Sequence, residues 1–236
     1  MTGKELDRIA TEYLTNGDYD NAMKYFLQAS EEGYFISMFN IACMYYFGDG
    51  VEQDYSKAYE WYVKASEAGD KEAMNRVGML LAEGTGVEKD PEKAFEWYLR
   101  SAKAGSLSGM ASTGYCYLQG FGTEADLNSF LAWMNKASRK GNGIASLTLG
   151  DYYAEHADEI IDVMQCDSCK SSVPKEDLPS YNLNRAREYY ERGMKQKYAP
   201  AILKLAEMYE KGLGVEQDPA KAEELKELAA NTPDED

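Results

Sequence analysis

The chain has 236 residues, enough for one elongated domain or two compact ones. Its 25 Lys and Arg against 41 Asp and Glu give a net charge of −16, which argues against binding to nucleic acid or anionic membranes and favours basic partners. No run approaches the length of a membrane span, and the first residues lack the apolar core of a signal peptide, so we expect a cytoplasmic protein without a transmembrane helix.

Most of the chain repeats with a period of 36 residues. Trp61 recurs at Trp97 and Trp133, and a Gly-x-Gly pair keeps the same spacing. Adding about twenty residues after position 155 restores the phase, which indicates an insertion there. The recurring turn glycines are Gly48, Gly50, Gly84, Gly86, Gly120, Gly122, Gly212 and Gly214.

The period divides the chain into six units, and each unit is predicted to contain two helices joined by a turn. The units lie at residues 5–33, 34–69, 70–105, 106–141, 142–197 (with an insertion at about 156–180) and 198–233. The sequence therefore predicts an all-α solenoid of about six helix–turn–helix repeats, forming one domain over residues 1–236.

Apolar residues at helical spacing predict both helices of a unit. The first helix carries the stripe Met38, Ile41, Ala42 and Tyr45, which has the i, i+3, i+4, i+7 spacing of one helix face. The second helix carries a stripe with the same spacing, formed by Ala58, Trp61, Tyr62 and Ala65. We expect the tryptophan of this stripe to pack in the core.

The Gly-x-Gly stretch predicts the turn between these helices. Gly48 follows the first helix, where a left-handed residue commonly ends a helix, and Gly50 allows the chain to reverse. Asp54 is then predicted to cap the second helix by accepting hydrogen bonds from its free N–H groups. In the fifth unit we expect Asn182 to take the same capping role.

The repeats resemble the Sel-one-like repeat (SLR) family, a branch of the tetratricopeptide superfamily. The resemblance rests on Gly84-Thr-Gly86-Val87, Asp90-Pro91, Trp97-Tyr98 and the run that ends at Gly105, with matching residues in the other units. It implies a right-handed α/α superhelix and a non-enzymatic adaptor that binds a protein or peptide on its concave face. The first unit departs from the motif, because its turn is the short Asn16-Gly17-Asp18-Tyr19.

A stripe beside the packed face of the first helices is the candidate partner-binding groove. The packed positions repeat from unit to unit, whereas these positions vary, as a peptide-recognition surface would; a solvated face is the alternative. A homodimer through the helical ends is left open, and no cofactor is expected. The predicted groove residues are Asn40, Cys43, Phe47, Arg76, Met79, Glu83, Ser112, Tyr115, Gln119, Thr148 and Asp151.

The insertion contains a C-x-x-C pair, Cys166 and Cys169, which has the spacing of half a zinc site or of a redox pair. His156 is the one histidine of the chain and a candidate third ligand. The alternatives are a zinc-binding or thiol-responsive regulator and two reduced thiols on a long loop. We expect Cys116 to be a small core residue.

An enzyme is the least supported hypothesis. Ser172-Val-Pro-Lys175 matches the S-x-x-K spacing of β-lactamase-like and penicillin-binding enzymes. Neither S-D-N nor K-T-G accompanies it, and no cysteine is paired with a general base. The sequence therefore predicts a protein without catalytic residues.

Overall fold

The computed structural model describes residues 1–159 and 175–233, and the regular structure in those ranges is entirely helical. It contains twelve α-helices and one 3₁₀ turn, arranged as consecutive hairpins, which confirms the predicted all-α repeat fold. None of these described helices has the length and apolar character to cross a bilayer. The chain divides into two compact units, the first unit Met1–Ala125 and the second unit Asp126–Asp236. Each is larger than the 36-residue units of the sequence, which are called repeats in the description of the structure. The single domain over 1–236 stays a prediction.

Each hairpin packs against the next within its unit, for example α2 against α3 and α10 against α11. The first unit contains α1 (Gly3–Thr15), α2 (Tyr19–Glu31), α3 (Phe35–Phe47), α4 (Tyr55–Glu67), α5 (Lys71–Glu83), α6 (Pro91–Lys103) and α7 (Leu107–Gln119). The second unit contains α8 (Leu127–Arg139), α9 (Gly143–Glu155), the 3₁₀ turn Lys175–Asp177, α10 (Leu178–Lys195), α11 (Ala199–Lys211) and α12 (Pro219–Ala230).

Glycine and aspartate define the turn inside a hairpin. Gly48 follows α3 in the left-handed conformation (φ 80°), and its N–H donates to the carbonyl oxygen of Met44. Asp54 then precedes α4, and its carboxylate accepts the N–H of Lys57 at 3.0 Å. Glycine is favoured after the helix because it has no Cβ to clash in this conformation, and the carboxylate satisfies an N–H that would otherwise lack a partner.

The second glycine of the turn has an additional role, since it contacts the preceding hairpin. A Cβ at Gly86 would lie 2.3 Å from the backbone carbonyl carbon of Tyr55, and one at Gly122 would lie 2.0 Å from the carbonyl oxygen of Pro91. Any larger residue would therefore separate two neighbouring hairpins. Backbone reversal alone was predicted for this position, so the close packing is an additional constraint on it.

Small residues also set the spacing of the helices. Gly78 on α5 packs beneath Tyr98, whose ring carbon would lie 2.7 Å from an added Cβ. Gly150 on α9 has the same relation to Tyr190, at 2.3 Å. The core around them combines fully buried alanines with large aromatic residues, a pairing that brings helix backbones close while filling the space between them.

The tryptophans are partly buried. Trp61 contacts the core through one side, while the Lys64 ammonium lies 4.0 Å from its ring centroid. Arg100 lies over Trp97 at the same distance. On the same helix, α4, the neighbouring Tyr62 is the aromatic residue that is fully buried. The predicted core packing of the tryptophans is therefore only partial, because each ring is partly exposed and also makes a cation–π contact.

Asn182 does not cap a helix, so that prediction is wrong. The helix α10 begins earlier, at Leu178, and Asn182 lies inside it with its side chain buried. Its amide nitrogen Nδ2 lies 3.0, 2.9 and 2.9 Å from the carbonyl oxygens of His156, Ala157 and Glu159. No glycine turn follows α9, and the asparagine side chain instead satisfies carbonyl groups of the turn just past that helix.

The hairpin contact at Gly86 predicts a large effect of an added methyl group. Gly86→Ala and Gly33→Ala both place alanine at positive φ, 71° and 78° respectively, which costs about 1 to 2 kcal/mol. Only the methyl at Gly86 meets backbone atoms, since nothing lies within 4 Å of a Cβ at Gly33. We expect Gly86→Ala to cost about 1 to 3 kcal/mol more in urea denaturation. Equal losses for the two variants would contradict the contact.

The buried amide of Asn182 predicts a second loss of stability. Asn182→Ala removes the side-chain donor from the carbonyl oxygens of Ala157 and Glu159 just past α9, while that of His156 keeps the N–H of Glu159, so the free energy of unfolding should fall by about 1 to 3 kcal/mol. Asn184→Ala, an exposed change on the same helix, is the matched control and should change it by less than about 0.5 kcal/mol. Thermal denaturation followed by circular dichroism measures both; a neutral Asn182→Ala would show that the amide contacts are not stabilising.

Candidate interaction surface

The predicted groove residues of the first unit lie on α3, α5 and α7 and differ in exposure. Phe47 is 63% exposed and Tyr115 41% exposed. The remaining residues fall into two groups by solvent exposure, one exposed and one partly buried. Arg76, Glu83 and Gln119 are exposed, whereas Asn40, Cys43, Met79 and Ser112 are partly buried.

The partly buried group is held by contacts to the second helix of the hairpin. The Cys43 sulfur lies 3.3 Å from the hydroxyl of Tyr62, and burial raises the pKa of the Cys43 thiol. Phe39 packs edge-on against the same tyrosine, with ring centroids 5.3 Å apart. Cys43 is therefore a fixed, protonated side chain at the floor of the stripe. Tyr62 was assigned to packing alone, although its hydroxyl contacts the stripe.

Arg76 and Met79 form the middle of the stripe on α5. The Nη1 atom of Arg76 donates to the Met79 sulfur at 3.8 Å, one turn along the helix. At the end of α3, Phe47 packs edge-on against Tyr46, with ring centroids 5.0 Å apart. This combination of a cation, a thioether and an exposed aromatic ring suits contact with apolar and acidic side chains of a ligand.

In the second unit the predicted residues are Thr148 and Asp151 on α9. The Thr148 hydroxyl donates to the carbonyl oxygen of Ile144 in its own helix. Asp151 accepts a hydrogen bond of 2.8 Å from the Tyr190 hydroxyl. Burial raises the pKa of the Asp151 carboxyl, while the Tyr190 hydrogen bond acts in the opposite direction. This carboxylate thus helps to join α9 to α10.

The metal hypothesis is not tested, because Cys166 and Cys169 lie outside the described residues, as does Ser172 of the S-x-x-K match. His156 stacks on Tyr152 with ring centroids 4.3 Å apart, and its Nδ1 lies 2.8 Å from the Tyr152 carbonyl oxygen. A metal would therefore bind its Nε2. Within residues 1–159 and 175–233 no three histidine, cysteine or acidic side chains form a metal-binding group.

Comparison with known proteins identifies the repeat. A model of the Sel1 repeat matches residues 12–34, 36–70, 71–106, 107–142, 176–198 and 199–231. No curated protein matches the sequence.

Solved structures show the same fold. A Sel1 repeat protein from Oxalobacter formigenes is 27% identical, with a TM-score of 0.79 over 97% of this chain and 85% of that one. The protective antigen c5321 of uropathogenic Escherichia coli, which has an SLR fold, is 27% identical with a TM-score of 0.76. That match covers 97% of this chain but only 45% of the antigen. The immunity protein Pa5087 from Pseudomonas aeruginosa is 22% identical, with a TM-score of 0.55 over 89% of this chain and 72% of that one, which shows a shared fold alone.

The burial of two thiols predicts slow alkylation. Cys116 is 4% exposed, as expected for a core residue, and burial raises the pKa of its thiol to about 11. Because only the thiolate reacts, iodoacetamide at pH 8 should modify Cys116 on the order of a hundredfold more slowly than a free cysteine, and Cys43 should also react slowly. Peptide mass mapping against time measures both rates, with the urea-unfolded chain as control. Rapid labelling of Cys116 in the folded chain would contradict the packing of α7.

Proposed function

The chain belongs to the Sel1 repeat family, and from this we propose that it is a non-enzymatic scaffold that binds a protein or peptide along its first helices. Sel1 repeat proteins are typically protein–protein interaction scaffolds. The proposed ligand is an extended segment with apolar and charged side chains. The net charge of −16 favours a segment that is basic overall.

The packing of alternate helices carries this proposal. Within the first unit α5 contacts α7, and within the second unit α9 contacts α11. Both are pairs of first helices. The second helices α4 and α6 make less contact with each other, and so do the first helices α1 with α3 and α3 with α5. In a stack of hairpins the elements on the inner side of a curve approach one another, so the α5–α7 and α9–α11 contacts support a concave surface at these first helices.

The composition of the stripe also supports peptide recognition. One position reads Asn40, Arg76 and Ser112 in successive repeats, and the next reads Cys43, Met79 and Tyr115. The packing positions recur and give each repeat the same backbone arrangement. The side chains that change from repeat to repeat give each one a different local chemistry. A ligand lying across successive repeats of the first unit would then be recognised by several distinct contacts, of which the exposed aromatic and arginine side chains should contribute most.

The test is affinity capture with three baits: the wild-type chain, a groove variant and a control variant. The groove variant carries Arg76→Ala, Met79→Ala and Tyr115→Ala. The control carries Glu60→Ala, Glu96→Ala and Lys103→Ala, exposed positions on second helices. We expect a specific partner to be retained by wild type and control and reduced about tenfold or more by the groove variant, since truncating a few central contacts commonly costs 1 to 2 kcal/mol each.

Quantitative mass spectrometry of the captured proteins measures the ratios, and circular dichroism establishes that each bait is folded. A partner that is retained equally by wild type and groove variant, but lost by the control, would place binding on the second helices. A folded wild-type bait that retains nothing specific would count against the scaffold itself.

A further inference from the structure

The second unit carries a concentrated positive surface in an acidic protein. Neither the segment from Leu127 to Gly150 nor that from Arg192 to Ala206 contains an acidic residue, although the chain has 41 of them. Apart from Lys204, which lies on α11 and pairs with Glu207, the cations of these segments lie where α8 and α10 end. We define this surface, the basic edge, by its six residues: Lys136, Arg139, Lys140, Arg192, Lys195 and Lys197.

Side-chain hydrogen bonds join the ends of α8 and α10, which carry these cations. Gln196 donates from Nε2 to the carbonyl oxygen of Ser138 at 2.7 Å and accepts at Oε1 from the Ser146 hydroxyl at 2.8 Å. Arg192 donates from Nη1 to the Ser138 hydroxyl at 3.2 Å. The ends of α8 and α10 are thereby held side by side, which brings their cations to one edge of the second unit.

The cations of the basic edge are available to an anionic ligand. All of them except Arg192 are exposed. Lys136 lies over the Trp133 ring and Arg192 over the Tyr189 ring. In the described part of the chain none of the six forms an ion pair with a carboxylate, in contrast to Lys57 and Lys93 of the first unit.

Local helix stability accounts for only part of this charge. Cations in the last turn of a helix interact favourably with its dipole, and four of the six cations lie in such turns: Lys136 and Arg139 in α8, Arg192 and Lys195 in α10. Lys140 and Lys197 lie beyond those helix ends. They therefore need a different explanation.

Lys197 also occupies a position where the backbone favours glycine. Its φ is 56°, and it is the one described residue other than glycine with a positive φ. The equivalent position in the other inter-hairpin loops is glycine, as at Gly105 and Gly141. A Cβ at either of those glycines would meet nothing within 4 Å, so a lysine fits but bears a conformational cost that glycine avoids. The lysine adds charge at the expense of local stability.

We propose that the basic edge binds an acidic segment of a partner protein, at a site separate from the groove on the first helices. A nucleic acid or a membrane would extend beyond the edge and meet the acidic remainder of the protein, whereas a short carboxylate-rich segment contacts the edge alone. The exposed Ile144 in the first turn of α9 offers an apolar contact beside the cations, as a peptide ligand would use.

The experiment measures binding of a fluorescein-labelled oligoglutamate, about ten residues long, to the full chain by anisotropy at about 50 and 150 mM salt. The edge variant carries Lys140→Gln, Lys195→Gln and Lys197→Gly, the last of which suits the left-handed backbone. The control carries Lys4→Gln, Lys24→Gln and Lys89→Gln, which removes the same charge from exposed positions of the first unit.

We expect wild type and control to bind the peptide equally, the edge variant to bind it about tenfold or more weakly, and all binding to weaken as salt rises. The melting temperature of the edge variant should be at least that of wild type, which separates loss of charge from loss of fold. Equal affinity of the edge variant, or no binding by wild type, would overturn the proposal. Edge-dependent binding of a single-stranded oligonucleotide or of phosphatidylserine vesicles without peptide binding would overturn the ligand class.

Discussion

The close approach of one hairpin to the next is the constraint on which the structure of each unit depends. At Gly86 and Gly122 the turn of one hairpin rests directly on the backbone at the start of a helix in the hairpin before it. No side chain fits into this contact. Glycine positions therefore define the repeat as much as its apolar residues do. The spacing of the helices follows from these positions, because they have no Cβ to hold neighbouring backbones apart.

This constraint separates structural positions from positions that are free to specialise. Once glycine, alanine and tyrosine set the distance between helices, neighbouring residues on the first helices contribute little to the core. Those residues include Arg76 and Tyr115, which vary across the repeats. Structural and variable positions are also distinct in the inter-hairpin loops. There the backbone requires only a residue in the left-handed conformation, and a side chain meets no neighbouring atoms, so Lys197 fits where other loops have glycine.

The helices and turns were predictable because their signals are local. A Gly-x-Gly turn followed by a capping aspartate specifies a helix end and a helix start within a few residues. Asn182 was placed wrongly because it was aligned with those aspartates, whereas the insertion replaces the glycine turn and lets α10 start earlier. The Tyr62 contact with Cys43 and the cations over the tryptophans depend on side-chain conformations that periodicity does not encode.

The burial of Asn182 has a consequence for how this family member tolerates added sequence. Its amide holds the chain just after α9 against the second turn of α10, so the two ends of the inserted segment are anchored by the hairpin itself. Closing a longer segment between fixed ends costs only about 0.6 kcal/mol for each doubling of its length. This hairpin is thus a site where evolution, or an engineer, could exchange one segment for another of different length without altering the repeats on either side.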